Sequence, residues 1–209
     1  MKVYKLTDEK GQTYNNTQWG EGITHEIGVN SNELCSEQVI HCYRDPLIAV
    51  LANPIHARFE EYILWECEAG NIVSEDALKA GCKILTSLRR IKAPTVNKAQ
   101  RIRWGILCAL EVYNDDAFAA WASAWLDKSD RTAGAAERAA WVAAGAAARA
   151  AGAAARAAGA AAGAAEGTAG VAWAAEGAAG AAWAAEGAAG VAGAAIDILA
   201  LANKAMEEE

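Results

Sequence analysis

No CxxC pair occurs in this chain, although it carries five cysteines, Cys35, Cys42, Cys67, Cys82 and Cys108. Zinc knuckles and disulfide frameworks announce themselves by paired close spacings, so neither a metal site nor a secreted, cross-linked scaffold is expected. A secretory leader is missing too, since MKVYKLTDEK reads as a strand and a turn; free thiols in a reducing cytoplasm are the expectation. No run is apolar and long enough to suggest a membrane partner: 157–165 is short, and Ala and Gly drive insertion weakly. Proline is scarce, and Pro46, Pro54 and Pro94 all precede residue 128. Beyond that point side chains larger than methyl nearly vanish, so 129–209 cannot build a conventional core.

Acids are absent from Ala77 to Leu110, where eight cations stand: Lys79, Lys83, Arg89, Arg90, Lys92, Lys98, Arg101 and Arg103. The net charge of −7 disfavours a nucleic-acid partner for the whole chain. The local positive stretch nevertheless suits an anion or polyanion, with Arg89, Arg90, Lys92, Lys98, Arg101 and Arg103 as its candidate contacts. Aromatics are not interleaved among them, so nucleic acid is the less favoured of these ligands.

What is present reads as an α+β class, a small N-terminal sheet–helix domain over 1–95. KVYKL (2–6) alternates and ends in the turn signal DEKG; 39–43 (VIHCY) is a short apolar strand. Asp45-Pro46 opens a helix with Asp as cap and Pro at the first helical position, and Leu47, Val50 and Leu51 form its stripe. YILWECE (62–68) is a half-buried strand closed by Ala-Gly-Asn, and 83–91 a further strand with Arg89 on its polar face. Over 96–128 two amphipathic helices are expected to pack on this domain or on each other. Asn97 and Gln100 suit a capping box before the stripe Ile102, Ile106, Ala109, Leu110, Tyr113. Asp115 caps the second helix, with Phe118, Trp121, Ala122, Trp125 and Leu126 on one face.

LCSEQVIHCYRDPLIAVLANP followed by FEEYILWECEAGNI resembles a domain of phage and prophage proteins. These pair a Gly-Phe-His-x-Cys-x-x-Pro-like strand–helix with a Glu-Val-Glu-Ala-x-Gly-like strand, and some carry Ala-rich tails. The resemblance spans 1–95 and implies a phage-type accessory protein in the cytoplasm of a bacterial host. A more distant likeness is to the ADP-ribosyltransferase fold, in its poly-ADP-ribose polymerase branch. Val39-Ile40-His41-Cys42 stands for that family's Gly-Ile-Tyr-Phe-Ala strand and Ala49 for its small-residue helix. Glu66-Cys67-Glu68-Ala69-Gly70-Asn71 stands for its Glu-Val-Ala-Leu-Gly-Asn strand. That likeness implies a cleft for NAD or ADP-ribose near Tyr4, Trp19 and His41, with His41 in place of the stacking tyrosine. The chain departs from the family in having Tyr4-Lys5-Leu6 where a His-Gly or Arg pair is needed, and no late catalytic Glu. The implied domain is therefore degenerate, binding rather than reacting.

Other candidates are weaker. Cys35, His41 and Cys42 lack metal-ligand spacing, and a buried structural His beside a core Cys is the simpler reading. His25 and His56 have no partner the sequence identifies, and a Cys–His nucleophilic pair arises readily by chance in such a composition. Glu66 and Glu68 share a strand face if Trp65 and Cys67 face the core; an exposed face explains them more simply than acid–base work. Trp19, in NNTQWGEG, either covers the core edge or stacks on a ligand.

The tail 129–209 is Ala/Gly-rich and periodic. Gly145, Gly152 and Gly159 are seven apart, as are Arg149 and Arg156, which leaves a methyl-lined face on a helix. A ten-residue phrase then recurs over 166–195, with Trp173 and Trp183 spiralling about the axis. A helical hairpin or coiled-coil-like bundle turning at Gly167-Thr168 is expected, its end clamped by Ile196, Ile198, Leu199 and Leu201 on Trp121 and Trp125 or on a second subunit. The twelve glycines from Gly134 to Gly193 cost roughly 10 kcal/mol of helix stability, so close packing must compensate. Ice binding needs Thr repeated on one face, whereas Thr168 and Thr132 stand alone.

The reading is a non-catalytic accessory or interaction protein that self-associates through its tail, with a host protein as the other partner and no cofactor. Alternatives are a nucleotide-binding ADP-ribosyl domain, a polyanion binder and an ice binder.

Overall fold

β1 (Lys2–Asp8) follows from the alternation of KVYKLTD and pairs antiparallel with β6 (Tyr62–Glu75), Lys5 facing Trp65 and Leu6 facing Leu64. It opens the first of two units, Met1–Thr95 and Val96–Glu209. The computed structural model describes residues 1–28, 33–34, 36–133, 135, 160–161, 181–185, 188 and 196–207. Cys35, the heptads of 143–163 apart from 160–161, and most of the ten-residue phrase lie outside the described residues.

Among its described residues the first unit is sheet-rich, with one α-helix, in keeping with a mixed α+β class. Asp8 ends β1 in a turn, its Oδ1 accepting from the Lys10 and Gln12 amides at 2.9 and 2.7 Å. Gly11 follows at φ 77°, and a small ladder of β2 (Gln12–Thr13) and β3 (Thr17–Gln18) comes next. β4 (Thr24–Glu26) and β5 (Ile40–Cys42) lie end to end along one edge of β7 (Ala80–Ile91), whose other edge pairs with β6. Between β5 and β6 runs α1 (Pro46–His56), started as its sequence predicts: Asp45 accepts from the Leu47 amide at 2.7 Å and Pro46 takes the first turn. α1 packs against β1.

β6 does not stop at Ala69-Gly70-Asn71 as its sequence suggests. It continues to Glu75, and β7 begins at Ala80 rather than Lys83. The pairing tolerates those residues because it is irregular there. Asn71 takes the left-handed region at φ 53°, a conformation Asn accepts more readily than most residues. The register shifts at Glu66/Cys67 and Ile72/Ser74, leaving Leu88 and Val73 as extra residues. Bulges bend and twist a strand pair, and this long hairpin curls far enough for the sheet to meet itself. Tyr4 and Tyr43, just past β5, exchange two backbone hydrogen bonds of 2.8 Å.

Inside the curl lie Val3, Trp19, Cys42, Trp65, Cys67 and Leu85 among the buried residues. Trp65 donates from Nε1 to the buried Thr7 hydroxyl at 3.1 Å. Packing is close at Gly81, on the β7 face opposite Ala80 and Cys82. A Cβ on Gly81 would come within 2.9 Å of both Ser74 Oγ and Val39 Cγ2.

In the second unit α2 (Lys98–Leu110) begins with the anticipated capping box, Asn97 Oδ1 accepting from the Gln100 amide and Gln100 Oε1 from the Asn97 amide. α3 (Asp116–Leu126) is capped by Asp115 and buries Phe118, Trp121, Ala122 and Trp125. The last helix, α4 (Ile198–Met206), packs chiefly along α2. The reason is polar as well as apolar: Gln100 Nε2 and Arg103 Nε donate to the Met206 and Lys204 carbonyls at 3.3 and 3.4 Å. Those carbonyls belong to the last turn, which has no partners of its own. Residues 181–185 are helical, with Ala181, Ala182 and Ala185 buried and Trp183 exposed. Among the described residues no helix is long and apolar enough to cross a membrane.

Gly81→Ala is expected to destabilise the protein by about 1–3 kcal/mol through overpacking. A lowered urea midpoint with an unchanged slope is the signature; an unchanged midpoint would show that β5 and β7 tolerate a wider spacing.

Candidate functional site

The curled sheet leaves two adjoining hollows in the first unit, of about 510 and about 480 Å³. Both are lined by Lys5, Thr13, Tyr14, Asn15 and His41. To the first, α1 and the loop after it bring His56 and Phe59, the β6–β7 turn brings Lys79, and Tyr43 completes the wall. The second adds Trp19, His25 and two carboxylates, Glu26 and Glu37.

Lys5 is the centre of this arrangement. Strand alternation puts its side chain with Val3 and Thr7 on the inner face of β1. Its Nζ donates to the His41 carbonyl at 2.7 Å and stands 5.2 Å from the Trp19 ring centroid. Among the described residues no ion pair involves Lys5. Burial pulls its ammonium below the usual lysine range, only partly opposed by the Cys42, Cys67 and Cys82 thiols.

The two imidazoles are held neutral by the same physics. His41 donates from Nε2 to the Leu34 carbonyl, and burial, Lys79 and Lys5 lower its pKa. His56 is pulled down to about 4 by burial, with Lys79 and His41 adding. Its Nδ1 lies 3.3 Å from the Tyr43 hydroxyl, with the rings stacked at 5.9 Å between centroids. Burial raises the Tyr43 phenol. Lys79 is placed by the tight turn at Asp76, whose Oδ1 accepts from the Leu78 and Lys79 amides at 2.8 and 2.6 Å.

The remaining walls are aromatic and amide. Trp19 is buried, its Nε1 donating to Thr13 Oγ1 at 2.9 Å and its ring 4.4 Å from that of His25. It therefore seals the core edge while one side lines the second hollow. Tyr14 is 81 % exposed at the rim of both hollows. It is followed by Asn15 and Asn16 at φ 58° and 55°, consecutive left-handed residues of the kind found where a loop is shaped for a task.

Of the residues picked out by sequence, Trp19 and His41 come together here and Tyr4 does not. Tyr4 lines neither hollow; alternation turns its ring to the outer face, with Lys2 Nζ 5.7 Å away, and Lys5 takes the inner place. The basic segment forms no single contact surface in the first unit. Lys79 lines a hollow, Lys83 is buried with Nζ on the Gln38 carbonyl at 2.8 Å, and Arg89 pairs with Glu66 at 3.0 Å. Arg90 and Lys92 are exposed in that unit, while Lys98, Arg101 and Arg103 belong to the second. Glu66 is held below the carboxylate range by Lys2 and Arg89, so Glu66 and Glu68 form an ion-paired outer face. Cys42, Cys67, Cys82 and Cys108 are free and buried. Among the described residues no cluster of three His, Cys, Asp or Glu is placed to hold a metal ion.

Sequence reasoning missed Lys5, His56, Tyr43, Tyr14 and Lys79. The one available signal was a lysine sharing a strand face with Val3 and Thr7. Comparison with protein-family models, curated proteins and solved structures finds no match to this chain.

His56 gives a stability test. An unfolded chain protonates this imidazole near 6.5 and the folded one near 4, so between those values the unfolded state binds the extra proton. The stability contributed by neutral His56 is whole above that range and is lost as pH falls through it. Thermal melts should show a lower Tm at pH 4.5 than at pH 7, and His56→Gln should flatten that slope. An identical slope in the variant would place the acid sensitivity elsewhere.

Proposed function

We propose that the first unit is a non-catalytic binding module for a small anion carrying a flat ring, the class to which NAD and ADP-ribose belong. The observation that supports this is the lining of the larger hollow. Lys5, Lys79, His41 and His56 surround it, and its one carboxylate, Asp8, is engaged by two backbone amides. Tyr14 at the rim offers a ring face beside the two lysines, and Trp19 lines the adjoining hollow. Pockets of several hundred Å³ with a few convergent polar groups suit ligands of this size. A bound dianion would raise both imidazole pKa values, so binding takes up protons and strengthens as pH falls from 8 towards 5.5.

Calorimetry of the full chain with ADP-ribose and NAD tests this. Binding should weaken roughly 10–100-fold in Lys5→Met, the loss expected for one charge-assisted hydrogen bond, and His41→Ala should weaken it in the same direction. Absence of heat at millimolar ligand overturns the reading.

A second reading rests on the spacing of Gly145, Gly152 and Gly159 with Arg149 and Arg156. Methyl-lined helix faces let backbones approach closely, and we propose that this tail, as a helical hairpin or bundle, assembles copies of an accessory protein of phage type. Light scattering on the full chain should then give a multiple of 21.8 kDa; a monomer across the micromolar range overturns it.

A further inference from the structure

We propose that Lys5 is a covalent capture site, its Nζ forming a reversible imine with a small anionic aldehyde or 2-oxo acid held in the hollow that it lines. The proposal rests on the anion-binding reading and adds the chemical class of the ligand.

The geometry is what an amine nucleophile requires. Lys5 reaches the walls of both hollows from a rigid strand, and its Nζ is aimed by the His41 carbonyl at 2.7 Å. An ordinary buried lysine is neutralised by a carboxylate; here the neighbours are a carbonyl, the Trp19 ring and the thiols of Cys42, Cys67 and Cys82. A desolvated lysine without an acid beside it gives up its proton more readily, which is how amine nucleophiles are prepared. Burial does lower this ammonium.

The step balances without any oxidant or reductant. The Nζ lone pair attacks the carbonyl carbon, the carbonyl oxygen takes up a proton, and the carbinolamine loses water to leave C=N. Loss of water needs a proton donor. The Tyr43 hydroxyl, 3.3 Å from His56 Nδ1, lies on the wall of the same hollow. A protonated imine keeps the positive charge of the ammonium, so Lys5 still faces the ligand's anionic group, with Lys79 and the two imidazoles left to hold it.

Pyridoxal 5′-phosphate, a flat phosphorylated aldehyde, is the probe, and pyridoxine 5′-phosphate, its alcohol, is the control that cannot form an imine. The full chain is incubated with the aldehyde at pH 7, reduced with borohydride, digested and mapped by mass spectrometry, while calorimetry follows the alcohol. Lys5 should carry the reduced adduct on the order of tenfold more than any other lysine, because the hollow holds the aldehyde beside its amine. Lys5→Arg should abolish that adduct, with an unchanged melt showing that it folds. If the alcohol binds but label spreads over surface lysines without enrichment at Lys5, the imine is overturned and the anion reading stands. If neither compound binds, both fall.

Discussion

Two backbone hydrogen bonds between Tyr4 and Tyr43 join the first strand to the end of β5, and the enclosure around Lys5 depends on that closure. Without it β1 would be an edge strand with unpaired amides and carbonyls exposed along its length. The contact is short because the long hairpin of β6 and β7 delivers β5 to β1 at only one place, through its two bulges and the left-handed Asn71. Beyond that bridge the strands part. The gap is spanned by a side chain, Lys5, whose Nζ satisfies the His41 carbonyl that a neighbouring strand amide would otherwise have taken. The same divergence that leaves a carbonyl in need of a donor also leaves room for a ligand.

Placing a cation there is costly. Removing an ammonium from water carries a penalty of several kcal/mol. One hydrogen bond to a carbonyl contributes about 1–3 kcal/mol and an aromatic face about 0.5–2 kcal/mol. A methionine would fill the same space without the desolvation, so stability is a poor account of this residue. Clusters of desolvated titratable groups in a cleft are more often built for a ligand. The neighbours point the same way, since burial and Lys79 lower the proton affinity of both His41 and His56, and an anion would relieve both imidazoles.

Local signals were legible in the sequence. The strand of 2–6, which runs on to Asp8, the Asp45-Pro46 helix start, the Asn97–Gln100 capping box and the Asp115 cap all depend on neighbours within four residues, and all are present. The inner face of β1 was not legible because both faces are apolar: Val3 and Thr7 are buried on one, Leu6 on the other, so alternation alone does not say whether Tyr4 or Lys5 points inward. Strand ends at Ala-Gly-Asn were misread because a bulge lets such residues continue a ladder that a regular pair would break. His56 found its partner only across a helix, in Tyr43, and Lys79 entered the hollow only through the turn at Asp76. The site is non-local and the secondary structure is local, which is why one was read and the other was not.

The second unit shows how a segment poor in large side chains is tied down. α4 has nine residues, too few to be a stable helix alone. Its buried residues are Ile198, Ala202 and Ala205, and two methyl groups bury little area. Small side chains do permit close approach, and that lets Gln100 and Arg103 reach the final carbonyls of the helix. Gln100 serves twice, since the amide that closes the capping box of α2 also donates to Met206. Polar end-capping thus supplements what an alanine face provides too weakly by itself.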